Sequence, residues 1–280
     1  MSAAPSLTHA QVQTLLSESS YDPSVCSKLE SYVRAQVSAV ASTLVASESP
    51  DVRYSFDANR TLIKLYQFFP HLEGETGVEI TALASFLSLL RFPDTDFVAL
   101  CCLIPERVQS TEPCATLVRC AELLESCDFA LFWPEFRKLG IPEYGIVEGG
   151  VVSDDRKLLS NAVNGPIASN TIRTNVIRML ARTYRTAPLS MVLAALDLGD
   201  ANSLREFGSN VHVLSEGGED GTTTATTTTT NAPIVEGVEG DVVTFAASSD
   251  NTKRVGSAYR GGVSYDDVAT MMSKSALRGQ

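Results

Sequence analysis

The chain has 280 residues, 44% of them hydrophobic and 20% charged, and carries a formal net charge of -11 at pH 7. That is enough apolar material for one large or two modest packed domains, and it excludes disorder of the whole chain. The acidic balance excludes a surface that is a nucleic-acid footprint throughout, because such surfaces are strongly basic; a local basic stripe stays open.

Met1-Ser2-Ala3-Ala4-Pro5 lacks the basic and apolar regions of a secretory signal. The longest apolar runs, around residues 80–90 and 97–104, fall short of the ~20 residues a bilayer span needs and read as buried helices. Cys26, Cys101, Cys102, Cys114, Cys120 and Cys127 form no C-x-x-C pair, and His9, His71 and His212 are scattered. A tetrahedral zinc site needs clustered ligands. The expectation is a cytoplasmic chain with reduced, mostly buried thiols, no metal and no cofactor.

Residues 1–20 form an N-terminal extension with a short amphipathic segment at 7–16. Asp22-Pro23 reads as a helix start, with Asp as cap and Pro at the first helical position. Leu29, Tyr32, Val33, Val37, Val40 and Leu44 then recur at helical spacing. Further helices are predicted from Asp57 to Pro70, over 78–90, over 96–109, from Pro113 through Leu124, and over 129–139. Trp133, Phe129, Phe132 and Phe136 sit at helical spacing and read as core. Helices of this length on short loops predict a HEAT-like helical array over 21–145. Glycines and prolines mark a looser joint over 146–168, with room for a short helix at 154–163.

Residues 169–250 predict three helices, at 172–184, 188–196 and 201–207, the second ended by Gly199 and the third capped by Asp200. Strands at 211–214 and 241–246 complete a small β-hairpin, which makes the pattern a winged helix. The Thr-rich insert 215–240 lacks the apolar content for a core and reads as disordered. A tail over 251–280 carries a short helix at 265–272. The fold class is therefore mainly α, a HEAT-like array followed by a winged helix.

Phosphate-loop and nucleophile-elbow motifs are absent from the sequence. A Cys127–His71 pair meeting in space is a bare formal option, and the acidic pairs read as caps and solvated faces. Arg178, Arg182 and Arg185 fall within roughly 60° of one another on a helix. They are the candidate RNA or ribosome contact; the solvated side of an amphipathic helix is the preferred reading. The third helix offers only Arg205 beside Glu206, so sequence-specific DNA reading is not expected.

Four blocks carry a resemblance. They are Tyr21-Asp22-Pro23 with Leu29-Glu30 and Tyr32-Val33; Asp57-Ala58-Asn59 with Leu62 and Lys64-Leu65-Tyr66-Gln67-Phe68; Pro93 with Thr95-Asp96-Phe97 and Cys102; and Leu123-Leu124-Glu125, Cys127, Phe129 and Phe132-Trp133. Together they resemble the subunit k family of eukaryotic translation initiation factor 3, strongly over residues 20–136. The joint and the Thr-rich wing are longer than that family's pattern. The resemblance implies a non-enzymatic subunit that pairs with subunit l, lies near subunit e, and belongs to a complex that binds the small ribosomal subunit and supports preinitiation-complex assembly and mRNA recruitment. The expected contact regions are the exposed faces of the N-terminal helices, the winged helix and residues 264–273. The competing readings are a scaffold of proteasome-lid or signalosome type and a direct RNA-binding module.

Overall fold

The computed structural model describes residues 7–42, 52–74, 76–146, 150–215, 228–248 and 250–252. It is mainly helical. Helix α1 (His9–Ser19) opens on a capping box, in which Thr8 and Gln11 bond each other's backbone N–H groups. Asp22 caps a single 3-10 turn, Pro23–Val25, by accepting from the Ser24 N–H. That turn leads into α2 (Cys26–Ala41), whose predicted face of Leu29, Tyr32, Val33 and Val37 is fully buried. Leu44 lies outside the described residues.

Ser55 caps α3 (Phe56–Phe68), and Pro70 starts the one-turn α4 (Pro70–Glu73). Helix α5 (Gly77–Leu89) is buried on nearly all sides, as an all-round apolar sequence requires. The remaining helices of this region are α6 (Asp96–Cys101), α7 (Glu106–Gln109), α8 (Cys114–Glu125) and α9 (Phe129–Lys138). Around α5 stand α2, α3, α6, α8 and α10 (Asp154–Asn164).

The single helix expected over 96–109 is two. Pro105 has no N–H to continue the ladder, and the Gln109 amide closes the corner by donating to the Cys101 and Ile104 carbonyls at 2.9 and 2.7 Å. The stretch 146–168, expected as a looser joint, contains α10. Its Leu159, Ala162 and Val163 are buried, and it packs against α2, α5 and α9.

Pro166 opens α11 (Pro166–Thr183), six residues earlier than expected. Ile172, Val176, Ile177 and Leu180 are buried as predicted, whereas Tyr184 lies past the helix end and is 45% exposed. The order continues β1 (Thr186–Pro188), α12 (Leu189–Leu196), α13 (Ala201–Asn210), β2 (His212–Ser215), β3 (Thr228–Pro233), β4 (Val235–Glu239) and β5 (Val242–Phe245). Strands β1, β5 and β4 form an antiparallel sheet in that order, and β2 pairs with β3 as a separate ribbon. Pro188 is tolerated because β1 is an edge strand.

The strand pairing differs from the expected one. The 211–214 segment does not pair with 241–246; β5 takes β4 and β1 instead. Both β3 and β4 fall inside 215–240. Ile234, Val235 and Val238 give the end of that stretch an apolar face, which the threonine run masks in the composition. Residues 216–227 and the expected helix at 265–272 lie outside the described residues. Gly199 does not end α12. Asp197 does so, in the left-handed region at φ 53°, a conformation Asp tolerates better than most residues.

Candidate interaction surfaces

The family-motif residues divide into core and surface. Asn59 is fully buried, and its Oδ1 accepts from Gln36 Nε2 at 3.1 Å. Gln36 Oε1 in turn accepts from the Ser55 N–H, so α2 fixes the start of α3. Leu65 is core. Tyr66 donates to Glu30 at 2.8 Å, and burial, helped by the Glu30 charge, pushes its phenol well above the ordinary range. Glu30 also faces Arg34, which forks onto Asp155 of α10 through bonds of 2.7 and 2.9 Å. A polar line thus runs from α3 along α2 to α10.

Asp96 accepts from Tyr54 Oη at 2.7 Å, and Phe97 is buried behind it. Trp133, Phe129, Phe132 and Phe136 are all buried, as their spacing predicts. Trp133 does more than fill space. Its Nε1–H donates to the Ala195 carbonyl at 2.9 Å, and the Arg173 guanidinium lies over its ring at 5.0 Å. Arg173 also donates to the Leu196 carbonyl at 2.8 Å and pairs with Asp197 at 3.6 Å, while Arg137 pairs with the same carboxylate. The end of α12 is therefore clamped from α9 and α11.

Tyr21 and Phe68 break the pattern by facing solvent, 65% and 61% exposed. Their rings meet edge to face at 6.2 Å. Pro23 leads the exposed turn beside them, and Gln67 is exposed. Lys64 lies one helical turn before Phe68, and Arg60 one turn before that, over the Phe56 ring at 5.5 Å. Arg60 pairs with Asp57 at 2.7 Å. The Asp22 carboxyl is held below its ordinary value by the Ser24 hydrogen bonds first and, more weakly, by the charge of Lys28.

The arginine stripe is largely neutralised. Arg185 pairs with Glu236 at 2.6 Å and Arg182 with Asp250 at 3.4 Å. Arg178 is half-buried, and desolvation lowers its pKa. Cys127 is exposed with its sulfur 4.0 Å from that of Met179, and among the described residues no hydrogen bond joins it to His71. Among the described residues, no group of three or more His, Cys, Asp or Glu side chains could hold a metal ion, and no helix is long and apolar enough to cross a membrane.

Three relatives bear on what these surfaces serve. A protein of Anopheles gambiae is 35% identical over 99 residues, which is 35% of this chain and 43% of that protein. One of Drosophila sechellia is 36% identical over 114 residues, covering 40% of this chain and 44% of its own length. One of Dictyostelium discoideum is 27% identical over 197 residues, 70% of this chain and 65% of that protein. All three are named eukaryotic translation initiation factor 3 subunit K. The resemblance read from the four blocks holds. The chain matches less than half the length of the insect relatives. No protein-family model matches it.

The sequence placed Trp133 in the core but gave no sign of its partners, since Ala195 is 62 residues away. The Arg34–Asp155 fork and the Tyr21–Phe68 pair likewise join residues far apart in the chain. An aromatic at a polar break, such as Tyr21, was the one local signal available.

Proposed function

We propose that this chain is a non-catalytic structural subunit of eukaryotic translation initiation factor 3, acting in the cytoplasm. The observation that carries the reading is the shared name of relatives 34–36% identical to it in insects. In this reading it pairs with subunit l, lies near subunit e, and reaches the small ribosomal subunit through the complex, supporting preinitiation-complex assembly and mRNA recruitment.

The architecture supports the same reading. Helices α2, α3, α5, α8 and α10 stacked around one another suit a HEAT-like array with large outer faces. The order α11, β1, α12, α13, β4, β5, with the sheet arranged β1-β5-β4, suits a winged helix, and β2–β3 is then an added ribbon. A protein of this size can bury about 1,600 Å² with a partner. The named relatives favour the initiation factor over a proteasome-lid or signalosome scaffold.

Direct RNA contact through Arg178, Arg182 and Arg185 is the lesser reading, because two of the three already face carboxylates. The test is sedimentation of cytosol on a sucrose gradient. A structural subunit travels with the other initiation factor subunits into the small-ribosomal-subunit fractions. A chain that stays at the top of the gradient contradicts the proposal.

A further inference from the structure

The sheet of β1, β5 and β4 has one covered side and one open side. Ala187, Val243, Phe245 and Val235 are buried on the side that packs against α12 and α13. By alternation, Pro188 and its partner Val242 point the other way, with Glu239 of β4 opposite Val242. All three are exposed, Val242 by 45%. Gly237 stands in the neighbouring row opposite Thr244, and a Cβ added there would meet no atom within 4 Å. A second layer can approach this side closely.

The open side calls for an apolar occupant with positive charge. Glu239 and Asp241 are exposed, and neither carboxylate has an ion pair among the described residues, while Arg185 nearby is taken by Glu236. A second copy of the chain would set the same acids against each other, and a phosphate backbone would be repelled. The chain's own C-terminal segment has the matching chemistry. Asn251 Nδ2 donates to the Ala181 and Ala246 carbonyls, both at 2.7 Å, which fixes the exit at Thr252 between the end of α11 and the end of β5. Residues 253–280 hold Lys253, Arg254, Arg260, Lys274 and Arg278 against Asp266 and Asp267, so this segment is net basic on a chain whose net charge is -11. Tyr265, Val268 and Met272 recur at helical steps, and Asp266 and Asp267 fall away from that stripe.

We propose that residues 264–273 dock on the open side of this sheet in the same molecule. They do so as a helix whose Tyr265, Val268 and Met272 cover Pro188 and Val242, and Lys253, Arg254 and Arg260 on the way meet Glu239 and Asp241. The dimensions agree. A helix over 265–272 is about 12 Å long, and three strands span about 10 Å. Residues 253–263 reach up to ~35 Å when extended, so the connection is long enough from an exit at the sheet's own margin. The docking does not depend on the scaffold reading. Under that reading, a partner that uses this side of the sheet must first displace the segment.

The test is hydrogen exchange of the purified full-length chain, read by mass spectrometry. A helix this short does not hold itself together in water, so protection of the 264–273 amides reports docking. In the wild type these amides are expected to exchange ~10-fold or more below the rate of unstructured chain. Val242→Asp on the sheet and Val268→Asp on the segment should each abolish that protection, and Glu239→Lys/Asp241→Lys should reduce it. Amides of β5 and α12 should exchange as in the wild type throughout, and because Val268 is not part of the sheet, its variant keeps the test decisive if Val242→Asp disturbs β5. Unprotected exchange of 264–273 in the wild type, or protection undiminished in either sheet variant, overturns the proposal. Protection lost on dilution marks a second copy as the occupant, and protection that appears only when other initiation factor 3 subunits are added marks a partner; the proposal fails in both cases.

Discussion

The Trp133 indole N–H donates to the Ala195 carbonyl at 2.9 Å, and that bond joins α9 to the last turn of α12. With Arg173 stacked on the same ring and hydrogen-bonded to Leu196, it makes this tryptophan one of the links between the N-terminal helices and the C-terminal part, beside the packing of α11 on α2 and α10. A scaffold that offers surfaces on both parts gains from holding them in fixed relation.

Replacing Trp133 with Phe keeps most of the apolar area but strands the Ala195 carbonyl and weakens the Arg173 stacking. The expected cost is about 1–3 kcal/mol, read as a lower urea midpoint by circular dichroism. An unchanged midpoint would mean the junction contributes nothing to folding.

The Arg34–Asp155 fork is the comparable device between α2 and α10. Asp155 is 8% exposed, so Asp155→Ala leaves a half-buried guanidinium without its main partner. About 2 kcal/mol of destabilisation is expected, and Arg34→Lys should lose part of it because an ammonium cannot fork. Chemical denaturation of the two variants checks the order.

Glu112 supplies a pH dependence. Burial pushes its carboxyl up, but hydrogen bonds from Thr116 and Arg119 and the Arg119 charge outweigh that and hold it below its ordinary value of 4.5. A carboxyl depressed in the folded state adds stability above its unfolded pKa, and that contribution is lost as pH falls through the folded pKa. Melting temperature should therefore drop below pH about 4.5, and Glu112→Gln should flatten that fall while lowering the neutral-pH plateau. A Gln variant that keeps the wild-type acid limb would contradict this.

Much of the helical part was legible in the sequence because its signals are local. Asp22-Pro23 and Asp200 ahead of Ala201 mark starts through caps, and the Leu29–Val37 spacing marks a buried face. The errors arose where distant chain decides. Pro105 is a local exception: the apolar run 97–104 that leads up to it masks the break. The role of α10 is not legible locally because the helices it packs on, α2 and α5, lie far back in the chain. The strands were paired wrongly because β4 hides behind a threonine run, and only the three-dimensional register shows Val235 opposite Phe245. The candidate arginines were found by helical angle, which carries no information about the acids at Glu236 and Asp250.

Thiol reactivity separates the six cysteines. Burial pushes Cys26, Cys114 and Cys120 up to about 12 and Cys101 to about 11, so they stay protonated and shielded at neutral pH. Cys102 and Cys127 are exposed. Iodoacetamide followed by peptide mapping should modify these two first, and the three buried thiols only in denaturant.

Gly208 tests the seat of β4. A Cβ there would lie 2.7 Å from Val235 Cγ2, so Gly208→Ala should destabilise by about 1–3 kcal/mol. Adding Val235→Ala should return part of that loss. Failure of the second change to rescue would place the strain elsewhere.

The most direct test of the central claim is affinity purification of the tagged full-length chain from cytosol at moderate salt, with the retained proteins identified by mass spectrometry. The other initiation factor 3 subunits are expected to be recovered, with subunit l the most abundant. Recovery of a different assembly, or of no stable partner, would contradict it.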